Sequence, residues 1–123
     1  MKNLLIAAVC LTACIAAIPA HKKQPGDDYP KSIQARATTL TQALAHRIHL
    51  NEAQYVRIKR LHLQYLSERR DLEQSLASAP AADRDAKLAA AQLSYEQALN
   101  DLLRPDQRVA YQQLRANFTA HRL

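Results

Sequence analysis

The sequence has very little glycine, and this limits the folds that it can adopt. Gly26 is the single glycine among 123 residues, and there is no tryptophan. β-Sandwiches and β-barrels need a turn every 8–12 residues or so, and those turns commonly contain glycine. Dinucleotide-binding and P-loop phosphate sites need several glycines at fixed spacings. We therefore exclude these classes and predict a small, all-α protein.

Cysteine is also scarce, and both cysteines lie near the N-terminus. Cys10 and Cys14 fall in an apolar stretch from Leu4 to Ala20, which follows Lys2 and ends where the sequence turns polar. This profile is typical of a secretory signal peptide, so we predict a signal peptide over residues 1–20 and a periplasmic or secreted protein. The remaining chain would contain no thiol, which excludes disulfides, cysteine catalysis and Cys-ligated zinc.

The same segment supports other interpretations. Leu11-Thr12-Ala13-Cys14 resembles a bacterial lipobox, in which Cys14 is lipidated and becomes the new N-terminus. The protein would then be anchored to the envelope by lipid. An uncleaved anchor helix is a third interpretation, although the stretch is a little short for a membrane span of roughly 20 residues. Under all three interpretations, contact with the membrane would come only through this segment.

Positive charge is in excess, with 17 Lys and Arg against 11 Asp and Glu and a formal net charge of +6. Such a charge favours acidic or amphipathic partners, which it attracts at salt-sensitive rates. Nucleic acid is not the expected partner, because the aromatic platform on which bases stack is missing and the leader predicts export. No serine has a credible histidine and acid arrangement. We therefore predict neither an enzyme nor a cofactor.

The rest of the chain divides into a linker and one helical domain. Residues 21–31 are dense in proline and turn-forming residues, whereas apolar residues recur every three or four positions over 32–123. We predict a long antiparallel helical hairpin with a shorter helix at each end. The predicted helices run from Ser32, as N-cap, to His49, from Asn51 to the turn at Pro80, from Asp83 to Leu103, and from Pro105 onward. The apolar stripe predicted for the first helix is Ile33, Ala37, Leu40, Leu44 and Ile48.

The second predicted helix has apolar residues on two sides. Ile58, Leu61 and Tyr65 belong to its main stripe. A two-helix hairpin cannot cover both sides, so we expect the other side to meet a second copy of the chain, in a homodimer, or a client protein. A solvated helix face is the alternative. The residues predicted to form this protein-binding surface are Val56, Lys59, Arg60, Leu63, Leu66 and Arg70.

Two copies of one short motif open two of the predicted helices. Leu50-Asn51-Glu52-Ala53-Gln54 and Leu103-Arg104-Pro105-Asp106-Gln107 share the pattern Leu-x-x-x-Gln. With the leader and the helical periodicity, they resemble the LTxxQ-motif family of periplasmic stress proteins, the Spy and CpxP group. That family usually has threonine after the leucine, where this chain has Asn51 and Arg104. Asn51 can still cap a helix, whereas an arginine side chain cannot accept a bond from a free N–H.

The resemblance implies both an architecture and a function. It implies a helical hairpin that dimerises into a thin, curved, basic cradle. It also implies an ATP-independent chaperone or envelope-stress modulator that binds unfolded or envelope proteins. Leu50, Leu103 and Pro105 would be structural, as would the two motif glutamines, Gln54 and Gln107.

Histidine suggests a second function from a different class. His46 and His49 are three residues apart on the first predicted helix, a spacing that lets two imidazoles share one zinc ion. A partner subunit would have to supply further ligands. The alternative function is therefore a metal-binding envelope protein, and the resemblance to the LTxxQ-motif family implies that it would be zinc-responsive. The alternative to metal binding is that both histidines are ordinary surface residues. A third interpretation of the function is an inert, lipid-anchored structural protein.

Overall fold

The computed structural model describes residues 28–120, and side chains as far as residue 117. Over this range the regular structure is four helices: α1 (Lys31–Ile48), α2 (Glu52–Ser75), α3 (Ala81–Leu102) and α4 (Pro105–Ala120). The predicted all-α class is confirmed for this part of the chain. The predicted signal peptide, Cys14 and most of the predicted linker lie outside it. None of the four helices is long and apolar enough to cross a membrane.

The starts of the first two helices contrast. At α2 the Asn51 side chain accepts a hydrogen bond from the Gln54 N–H at 2.8 Å, and the Gln54 side chain accepts one from the Asn51 N–H at 3.1 Å. This capping box confirms Asn51 as the predicted cap. Ser32 as N-cap of α1 is wrong. Pro30 occupies the cap position without a side-chain bond, and α1 begins at Lys31 because proline presets a backbone angle suited to helix entry.

The larger apolar cluster lies where the ends of the helices meet. Its buried members come from α1, α2 and the end of α3: Leu44, Ile48, Ile58, Leu99 and Leu103. Partly buried residues of α4, among them Tyr111 and Leu114, pack against them. Burial of this cluster therefore holds α1, α2 and α3 together and provides the surface on which α4 rests.

A second cluster lies between α1 and α2, and it corrects the predicted binding surface. Leu63 and Leu66 are buried against Ile33 and Ala37, with Tyr29 beside them. Two of the residues on the side of α2 expected to meet another protein, Leu63 and Leu66, are thus covered by α1 of the same chain. For Leu63 and Leu66 the prediction was wrong because it assigned α1 to the end of a hairpin, whereas α1 packs against α2.

The apolar stripe of α1 also differs from the prediction at one position. Ile33, Ala37, Leu44 and Ile48 are buried as expected, but Thr41 takes the fifth buried position. Leu40 is 42% exposed instead. Residues 40 and 41 lie at the two edges of the apolar stripe, so periodicity alone does not choose between them. The polar Thr41 is the one buried, because its hydroxyl forms a hydrogen bond with His62 on α2.

Replacement of Leu63 and Val56 by alanine tests which side of α2 is covered. Leu63→Ala should lower the free energy of unfolding by roughly 2–4 kcal/mol, because it opens a cavity between α1 and α2. Val56→Ala should cost less than about 1 kcal/mol, since Val56 is half exposed. Urea unfolding followed by circular dichroism measures both. Equal costs for the two variants would contradict the packing of α1 on α2.

Candidate functional site

The two motif glutamines meet in the interior and bind each other. The Gln54 Nε2 donates to the Gln107 Oε1 at 2.7 Å, and the Gln107 Nε2 donates back to the Gln54 Oε1 at 3.1 Å. Each amide also caps its own helix, since the Gln54 Oε1 accepts from the Asn51 N–H and the Gln107 Oε1 accepts from the Arg104 N–H at 3.0 Å. The motifs therefore form one joined structure although 53 residues separate the glutamines.

Each glutamine also reaches the backbone of the opposite junction. The second hydrogen-bond donation of Gln54 goes to the Leu102 carbonyl at 3.0 Å, and that of Gln107 goes to the His49 carbonyl at 3.1 Å. Both carbonyls lie five residues before the partner glutamine, so the arrangement is nearly two-fold symmetric. An amide has two donor hydrogens and two acceptor lone pairs, and both amides use all four. Full satisfaction explains how Gln54 and Gln107 are both buried.

The other motif residues also have structural surroundings. Leu103 is buried in the larger cluster and Leu50 packs against it from a partly buried position. Pro105 is the first residue of α4, where the missing N–H costs no hydrogen bond. Arg104 supplies only its backbone N–H to the cap, and its side chain lies 3.6 Å from the Asp106 carboxylate.

A buried histidine connects three helices. The His62 Nδ1 lies 2.8 Å from the Thr41 hydroxyl on α1, and its Nε2 lies 2.7 Å from the Tyr95 hydroxyl on α3. The Thr41 hydroxyl donates to the Ala37 carbonyl at 2.7 Å, so it accepts from Nδ1–H. The Nε2 atom then accepts from Tyr95. With these hydrogen-bond directions, both ring nitrogens of a neutral imidazole and both hydroxyl groups have a partner.

Burial fixes the charge states of these groups. It lowers the pKa of His62 from 6.5 to about 4, because no water solvates an imidazolium there. Burial likewise raises the pKa of the Tyr95 hydroxyl, to which Tyr111, Tyr65 and Glu96 contribute further. Near neutral pH the histidine is therefore uncharged and the tyrosine protonated. The signal for this role in the sequence is the position of His62 on the apolar face of α2.

An apolar cleft of about 230 Å³ lies between α1 and α4, beside this network. Leu40 and Leu114 face it from the two helices, and both remain partly exposed. Tyr111, which also lines it, is half-buried, and its pKa is raised by burial. We refer to this feature as the α1/α4 cleft. Its lining residues are Leu40, Ala43, Leu44, Arg47, His62, Tyr95, Tyr111 and Leu114.

The predicted protein-binding residues on α2 do not share one accessible surface. Val56, Arg60 and Arg70 are exposed, Lys59 is half-buried, and Leu63 and Leu66 are buried under α1. The α1/α4 cleft, by contrast, is lined by apolar side chains from more than one helix. Sequence reasoning missed it because each helix contributes only part of an ordinary stripe, and the placement of α4 against α1 depends on the glutamine pair.

The side chains of the weak metal candidates lie outside the α1/α4 cleft. His46 and His49 are both exposed near the end of α1, and His49 adopts a left-handed conformation with φ 57° as the helix ends. Within residues 28–120, no group of three or more His, Cys, Asp or Glu side chains is arranged to hold a metal ion. The prediction of zinc binding stays a prediction.

Comparison with known proteins adds no further constraint. No family model matches the chain, and neither a curated protein nor a solved structure matches it. The resemblance to the LTxxQ-motif family therefore stays a prediction that depends on the two motifs and the predicted leader.

Acidification should destabilise the fold through His62. The pKa is lower in the folded state than the unfolded value of 6.5, so the unfolded chain binds the proton more tightly. The contribution of neutral His62 to the free energy of unfolding is complete above pH 6.5 and falls as the pH drops towards about 4. From about pH 7 to about pH 5 the free energy of unfolding should fall by roughly 2 kcal/mol.

Urea unfolding at a series of pH values measures this effect. His62→Gln should abolish most of the slope between about pH 7 and 5, whatever it does to overall stability. His46→Gln replaces an exposed histidine on α1 and is the matched control, which should keep the original slope. A slope that His62→Gln leaves unchanged would show that another group is responsible.

Proposed function

We propose that this protein is an ATP-independent chaperone or envelope-stress modulator that binds unfolded or partner proteins in the α1/α4 cleft. The observation that carries the proposal is the cleft itself, in which Leu40 is 42% exposed beside Tyr111 and Leu114. Apolar side chains that line a concave surface are typical of binding sites. The cleft replaces the α2 surface that was predicted from the sequence.

The charge of the chain supports the same proposal. A formal charge of +6, or +5 once the predicted leader with Lys2 is removed, attracts acidic clients before any specific contact forms. Arg47 lies at the cleft, where its stem can cover apolar surface while its guanidinium meets a carboxylate. We further propose the predicted periplasmic or secreted location, with a lipid anchor at Cys14 as the alternative. The hairpin that dimerises into a cradle is likewise part of the proposal.

An aggregation assay with an unfolding client tests the proposed function. The purified protein should suppress client aggregation without ATP, and less effectively at high salt because ions screen its charge. Leu40→Gln should require roughly five times more protein for the same protection, since it removes about 1 kcal/mol of apolar contact.

Leu93→Gln is the matched control for this assay. Leu93 is 58% exposed on α3 and does not line the cleft, so this variant should protect as well as the unchanged protein. Absence of any protection, or equal loss in the two variants, would contradict binding in the α1/α4 cleft.

A further inference from the structure

We propose that the α1/α4 cleft takes an amphipathic α-helix with acidic residues beside its apolar stripe, rather than an extended chain. This inference depends on the proposed function and specifies its ligand. The helix would lie along the groove between α1 and α4, insert apolar side chains between Leu40 and Leu114, and place a carboxylate near Arg47.

The backbone of the ligand is the first reason. The walls of the cleft are helices, and the helical backbone groups of α1 and α4 already bond within their own helices. Within the described residues there is no strand whose edge could pair with an extended peptide. An extended segment in an apolar groove would lose water from its N–H and C=O groups without replacement. A helix satisfies its own backbone, so it enters at lower cost.

The size and spacing of the cleft are the second reason. A volume of about 230 Å³ is below the roughly 300–1,000 Å³ of pockets that hold small molecules. It suits side chains inserted from a surface laid across it. On α1 the lining residues Leu40, Ala43, Leu44 and Arg47 follow the spacing i, i+3, i+4, i+7. These residues share one face of α1, and a second helix can pack its ridges of side chains into the grooves between them.

Charge is the third reason, and it selects an acidic ligand. Arg47 is the charged residue among those that line the cleft, since His62 there is neutral. Its side chain is exposed and forms no ion pair with a described residue. Arg115 of α4, by contrast, is held by Glu96 at 2.9 Å. A carboxylate on the ligand would therefore find its partner in Arg47.

Fluorescence anisotropy with labelled synthetic peptides tests the inference. The probe is a peptide of about 18 residues, with leucines at i, i+3, i+4 and i+7 and glutamates flanking them. A second peptide has two central residues replaced by proline, which breaks the helix. A third has lysine in place of each glutamate. The first should bind at least roughly tenfold more tightly than the second, and more tightly than the third.

Variants of the protein locate the binding. Leu40→Gln should weaken binding of the acidic helix roughly fivefold, whereas Leu93→Gln should not. Arg47→Glu should weaken it roughly threefold and strengthen binding of the lysine peptide. Arg60→Glu, an exposed site on α2 away from the cleft, should do neither. Circular dichroism establishes that each variant is folded.

The outcomes separate the ligand from the function. Equal binding of the helical and proline peptides would overturn the inference, while cleft-dependent client protection would still support the proposed function. Self-association of the protein that is abolished by Leu40→Gln would also overturn it, since a second copy would then be the occupant. Tight, Leu40-dependent binding of the acidic helix alone supports it.

Discussion

The paired amides of Gln54 and Gln107 are the interaction on which the arrangement of the four helices depends. Each carboxamide caps its own helix, binds its partner and reaches a carbonyl of the opposite junction. Leaving one such group buried without a partner costs roughly 1–3 kcal/mol. Loss of either glutamine would leave several buried groups without a hydrogen-bond partner. The α1–α2 junction and the α3–α4 junction are therefore held in one fixed arrangement.

This arrangement determines which apolar surface is hidden and which is left open. Joining the turn at His49 to the turn before Pro105 brings the end of α1 beside the start of α4. The outer half of α1 is then free to cover Leu63 and Leu66 on α2. Along α4 the two helices leave the α1/α4 cleft between them. The buried Thr41–His62–Tyr95 chain connects the floor of this cleft to the packing of α1, α2 and α3.

The helices could be predicted from the sequence, and their packing could not. Periodicity, Asn51 and Pro105 determine local structure, and each acts through neighbours within a few residues. The burial of Leu63 depends on where α1 packs, which involves residues more than twenty positions away. The same reason explains the error at Leu40 and Thr41. Both residues fit the helical period equally well, and the hydrogen bond between Thr41 and His62 determines which of them is buried.

The motif glutamines show most clearly which contacts cannot be predicted from the sequence. Their spacing from the helix starts indicates a capping role, which Asn51 and Gln54 fulfil. That the two caps also bind each other is a long-range fact, visible in the sequence only as a repeated Leu-x-x-x-Gln. The α1/α4 cleft is still harder to predict from the sequence, because it lies between helices whose positions depend on this glutamine contact.

A double-mutant cycle on Gln54 and Gln107, measured by urea unfolding, tests the central claim most directly. The claim predicts that Gln54→Ala and Gln107→Ala are each strongly destabilising. It also predicts that the double variant loses about 1–3 kcal/mol less than the two single losses together, because each single variant already breaks the shared contact. Losses that add to within about 0.5 kcal/mol would contradict it, since the two junctions would then be stabilised independently.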